Sequence, residues 1–67
     1  MKITARQLDG YYKARFHITV NDAYNKATYG ITMAEFMVID AAVHAVYGLW
    51  PEDRAKLSKI NEYLSRR

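Results

Sequence analysis

The chain has no cysteine, one proline, three glycines and two serines among 67 residues. Without cysteine there is neither a disulfide framework nor a thiolate metal site to staple so short a chain. No run approaches the roughly 20 apolar residues of a membrane span. The opening MKITARQLDG also lacks the apolar centre of a signal peptide. A cytoplasmic protein with no membrane partner is expected. Glycine is too scarce for a phosphate-binding loop, since Gly10, Gly30 and Gly48 each read as a turn or a helix end. Nucleophilic catalysis needs an activated Ser, Cys or Lys beside a base, and no such motif surrounds either serine. Asp40 and His44 stand at i, i+4 spacing, but two ligands on one helix are too few to hold a metal. No catalytic residue, cofactor or metal is expected.

What the chain does have is an apolar half (51%) and a formal net charge of +3. A core this small yields only about 3–5 kcal/mol. A single domain over residues 1–67 therefore gains from dimerisation or from a partner that completes the core. The mild positive balance permits nucleic acid without demanding it. The distribution of charge is more informative, because GYYKARFHITV (Gly10 to Val20) alternates apolar with polar or basic residues and contains no acid.

Asp9-Gly10 reads as a two-residue hairpin turn, and Asn21-Asp22 as a weaker one. They predict strands over about 2–8, 11–20 and 23–30. Pairing across both turns puts Ile3, Ala5, Tyr12, Ala14, Phe16, Ile18, Val20, Ala27 and Tyr29 on one face. The other face takes Lys2, Thr4, Arg6, Tyr11, Lys13, Arg15, His17, Thr19, Tyr24, Lys26 and Thr28. That face carries five cations and no carboxylate. Its register sets Arg6 opposite Lys13, a like-charge pair that costs about 0.2–1 kcal/mol and hints at an anionic partner.

Thr32 with Glu35 three residues later forms a capping box, and Ile31 with Phe36 suits the flanking staple. A helix is predicted over about 33–47, with Gly48 just past its end. Phe36, Ile39, Val43, Val46 and Tyr47 make a stripe wide enough to cover the sheet. Ala34, Val38, Ala41 and Ala45 make a second, small apolar stripe that needs another partner. A final helix is predicted over about 51–66, with Pro51 first, Glu52 and Asp53 near its start and Arg66 and Arg67 at its end. Its narrow stripe of Leu57, Ile60 and Leu64 either docks on the alanine face or pairs with a second copy. Trp50 either caps the core or anchors a protein partner. The expected fold is α+β: a three-stranded antiparallel β-meander packed on an α-helix, followed by a second, C-terminal helix. The interface candidates are Val38, Ala41, Ala45, Trp50, Leu57, Ile60 and Leu64.

GYYKARF, ATYGITMAEF and DAAVHAV together resemble the small sheet-plus-helix DNA-binding modules, the arm-type domains of phage integrases and the AP2-like domains. Gly10, Tyr12, Ala14 and Phe16 match the first element of that pattern. Tyr29 and Gly30 match the second, and Ala41, Ala42, His44 and Ala45 the third. The resemblance implies a sheet set into the major groove. Arg6, Tyr11, Lys13, Arg15, His17 and Lys26 would then meet bases and phosphates, with Tyr24 at the edge. Arginine reads guanine bidentately, whereas lysine mainly neutralises phosphate.

Two functions follow as expectations. The first is a small regulatory module of a phage or other mobile element that binds duplex DNA. The alternative is a small protein-binding inhibitor or adaptor, such as a phage product that blocks a host protein, engaging an acidic protein surface. A homodimer is compatible with either.

Overall fold

The computed structural model describes residues 2–48 and 55–66. Four helices lie among the described residues: α1 (Ala5–Ala14), α2 (Asp22–Tyr29), α3 (Met33–Tyr47) and α4 (Leu57–Ser65). No strand occurs among the described residues, so the expected β-meander and its α+β class are replaced by an all-helical fold. The sheet implied by the resemblance to integrase arm-type and AP2-like domains is likewise not formed, and Gly10, Tyr12 and Ala14 lie inside α1.

The residues that read as turns serve as caps and crossings instead. Asn21 is the N-cap of α2, its side-chain oxygen accepting the Tyr24 N–H at 3.2 Å. Asparagine satisfies a helix start by the same local bonding that favours it in turns. Gly10 sits in mid-helix, where glycine is about 0.5–1 kcal/mol worse than alanine. It is required because a Cβ there would run into the backbone carbonyl of Tyr29. Glycine thus lets α1 and α2 cross backbone to backbone. Thr4 starts α1 with a full capping box: its hydroxyl accepts the Gln7 N–H at 3.2 Å, and the Gln7 side chain accepts the Thr4 N–H at 2.8 Å. Leu8, Tyr11 and Ala14, spaced by threes, are buried on its inner face.

α3 is the helix that the sequence predicts. Thr32 accepts the Glu35 N–H at 3.1 Å, and Glu35 accepts the Thr32 N–H at 2.8 Å. Asp22, the first residue of α2, also accepts the Met33 N–H at 2.8 Å. The tight α2–α3 turn depends on Gly30, whose φ of 78° is left-handed and whose N–H closes on Asn25 and Lys26 carbonyls. α4 begins at Leu57, after the non-helical Ala55 and Lys56, with Lys56 as a cap that makes no side-chain bond. Trp50, Pro51, Glu52, Asp53 and Arg67 lie outside the described residues.

α3 packs against α4 and α1, and α1 packs against α2. The buried centre comprises Ile3, Leu8, Tyr11, Ala14, Ile31, Ile39, Ala42, Val43, Ile60 and Leu64, joined by Ala55. Two asparagine side chains tie irregular backbone onto this core by mimicking a peptide group. Asn61 of α4 accepts the Ile3 N–H at 2.8 Å and donates to the Ile3 carbonyl at 3.0 Å. Asn25, fully buried in α2, accepts the Thr19 N–H at 3.1 Å and donates to the Thr19 carbonyl at 2.8 Å. Each amide satisfies both polar groups of a residue that no helix pairs.

Candidate interaction surface

The helical fold disperses the predicted basic face. Tyr11 is fully buried in the core, where its hydroxyl donates to Asp40 at 2.7 Å. Burial first, and the Asp40 carboxylate second, push its phenol well above the ordinary value. It is a core residue and not a nucleic-acid contact. Arg6 and Lys13 are exposed on the outer ridge of α1, with Asp9 between them bonded to Lys13 at 3.2 Å. Arg15 and His17 follow α1 in the loop to α2; His17 is exposed, and the Arg15 guanidinium lies 5.6 Å from the Phe16 ring centroid. Tyr24 is exposed, 6.3 Å ring to ring from Tyr29. Lys26 pairs with Glu35 at 3.7 Å. The carboxylate-free face was a product of the sheet register. In the helices Asp9 and Glu35 stand among its lysines.

Every described acid is engaged. Asp9 holds Lys13, Asp22 accepts from Met33 and Asn25, Asp40 accepts from Tyr11 and lies 3.5 Å from His44, and Glu62 meets Arg66 at 3.6 Å. Glu35 is bonded to Thr32, Lys26 and Gln7. The Thr32 backbone N–H contributes most to holding its carboxyl below the ordinary range. Among the described residues, Lys2, Arg6, Arg15, Lys56 and Lys59 have no acid partner. They are spread over the N-terminal segment, α1, the following loop and the start of α4.

The interface candidates divide cleanly. Ile60 and Leu64 are buried, and Leu57 packs partly buried against the core, so the α4 stripe is spent inside the chain. Ala41 and Ala45 are exposed, with Val38 half-buried beside them. α4 therefore does not cover the exposed alanines; Ile39, Ala42 and Val43 of α3 are buried in the core, and Phe36, Val38, Val46 and Tyr47 pack against it. Ala34 is exposed, and Met37 is 63% exposed. At 100° per residue, Ala34, Met37, Val38, Ala41 and Ala45 fall within about 100° of one another, along about 16 Å of helix. No charged residue lies within that arc. His44, half-buried, stands at its edge.

Met37 is absent from the predicted stripe, although it lies three residues after Ala34 and four before Ala41, a spacing that marks one helix face. Phe16 and Val20 are also large, apolar and exposed. The alternation that assigns them to a sheet core is the signal that hid them.

No groups of three or more metal-binding side chains occur among the described residues. No single helix among them is long and apolar enough to cross a membrane. No family model, curated protein or solved structure matches the chain.

Proposed function

We propose that the chain is a cytoplasmic protein-interaction module that acts as a small adaptor or inhibitor through the outer face of α3. One observation carries the reading: a helix that is apolar on nearly all sides buries only one of them. Such helices are normally enclosed. In so small a chain, Met37 and its alanine neighbours represent apolar area that contributes to stability only when a partner removes it from water, at about 25 cal/mol per Å². Small side chains let a partner helix approach closely, and Met37 is flexible enough to fill an irregular socket.

The test is Ala41→Glu. Ala41 is exposed, so the variant keeps its fold by circular dichroism. A carboxylate driven into an apolar contact weakens association by about tenfold or more. Solution mass and stoichiometric co-purification from producing cells are compared for wild type and variant. Identical masses and identical partners in both would end the reading.

The five cations without acid partners favour a second reading, duplex DNA held through its phosphates. It predicts retardation of long duplex DNA at low salt, weakened by Arg6→Ala and Arg15→Ala and abolished as salt rises. Absence of retardation at low salt would remove it. The outer face of α3 does not serve this reading, since alanine and methionine offer no donor to a base edge.

A further inference from the structure

The loop from Arg15 to Asn21 presents two large apolar side chains to solvent. Phe16 is 75% exposed and Val20 89%, while Ile18 between them turns inward against the core. The loop is fixed along its length. The N–H groups of His17 and Ile18 donate to the Ala14 carbonyl at 2.8 and 2.9 Å. Thr19 is clamped by the buried Asn25 through its N–H, its carbonyl and its hydroxyl, the last at 2.9 Å. Asn21 donates its N–H to the Thr19 hydroxyl at 3.1 Å. Phe16 and Val20 are therefore displayed by backbone that is ordered before any partner arrives, so binding through them forfeits little conformational entropy.

The loop's formally charged side chain is a cation, Arg15. Arg15 sits over the Phe16 ring, and neither Arg15 nor His17 has an acid partner among the described residues. No carboxylate occurs from Gly10 to Asn21. Those on either side are occupied: Asp9 holds Lys13, and Asp22 accepts from the Met33 N–H and the Asn25 side chain.

We infer that this loop is an anchor for an acidic partner protein, with Phe16 and Val20 entering an apolar socket whose rim carries carboxylates facing Arg15 and His17. The inference rests on the protein-interaction reading but uses a surface other than α3. Aliphatic Val20 has no face on which a base can stack, which argues against single-stranded nucleic acid. Two side chains on a short fixed loop also differ from the extended amphipathic helix that lies in a membrane interface. Apolar anchors ringed by complementary charge are the pattern of a protein–protein hot spot.

The experiment pans the folded 67-residue chain against a displayed random-peptide library and titrates the selected peptides into ¹⁵N-labelled chain. Expected are peptides that combine Asp or Glu with an aromatic or aliphatic residue, with amide shifts concentrated at residues 15–20. Phe16→Ser weakens their binding by about tenfold or more and leaves the thermal midpoint unchanged. Arg15→Gln weakens it less and reduces its salt dependence. Peptides without acids, or shifts confined to residues 34–45 and indifferent to Phe16→Ser, overturn the inference and leave the α3 reading standing. Failure to select any peptide counts against both. Phosphatidylserine vesicles and oligothymidylate are run in parallel. Phe16-dependent binding to either, without selected acidic peptides, overturns the protein assignment.

Discussion

α1 and α3 begin in the same way and end their outer faces differently. Each opens on a threonine capping box, and the two are joined side by side through Tyr11–Asp40 at 2.7 Å and Gln7–Glu35 at 3.1 Å. Each buries an inner face, Leu8, Tyr11 and Ala14 on one and Ile39, Ala42 and Val43 on the other. The outer ridge of α1 is Arg6, Asp9 and Lys13, a solvated surface with its own i, i+4 ion pair. The outer ridge of α3 is Ala34, Met37, Ala41 and Ala45, with no charge. One helix meets water with charge and the other with apolar side chains. Composition already separates them, since Arg6, Asp9 and Lys13 charge α1 while α3 is mostly apolar; position relative to the core then shows which apolar residues of α3 stay outside it.

The sharpest break of that contrast is to add atoms to each helix. Gly10→Ala pushes a methyl group into the Tyr29 carbonyl on the inner face of α1 and is expected to cost about 1–3 kcal/mol in urea unfolding. Ala41→Met adds more atoms to the outer face of α3 and is expected to change stability by less than about 0.5 kcal/mol. The segments flanking α1 come next. Asn61→Ala frees Ile3, and Asn25→Ala frees Thr19; each is expected to lose about 1–3 kcal/mol, with faster hydrogen exchange at the freed amide.

Tyr11→Phe tests the bond between the two helices and is expected to lose about 0.5–1.5 kcal/mol. It also has a pH signature. Burial raises the Tyr11 phenol above its ordinary 10.0, so the folded state retains a proton that the unfolded chain releases. Stability from this group is whole below pH 10.0 and falls as pH rises above it, and Tyr11→Phe removes that part of the alkaline fall. The smallest effect is at the other limit. Glu35 is held below its ordinary 4.5, so its contribution is present above that pH and is lost as pH falls beneath it. Glu35→Gln flattens the acid limb of the stability profile.

α3 was legible because its signals agree: a capping box, a wide apolar stripe and a following glycine all specify one helix. The first 30 residues were not, because theirs conflict. Asp9-Gly10 and the alternation from Gly10 to Val20 specify a hairpin, whereas Thr4-x-x-Gln7 and the spacing of Leu8, Tyr11 and Ala14 specify a helix. The helix prevails because Gly10 supplies a crossing rather than a turn, which depends on Tyr29, nineteen positions away. No local pattern reports such a contact. The same error sent Phe16 and Val20 to a core that does not exist and Tyr11 to a surface. The exposed alanines of α3 were legible as a surplus apolar stripe, but its vacancy was not, since α4 offered a stripe of matching kind and spends it elsewhere.

In the proposed function α3 faces a protein where α1 faces water. A photo-crosslinking amino acid is placed at Ala41 in one variant and at Lys13 in another, both exposed positions, and the producing cells are irradiated. A discrete protein adduct at Ala41 with none at Lys13 is the predicted result. Adducts of equal yield at both positions, or none at Ala41, would contradict it.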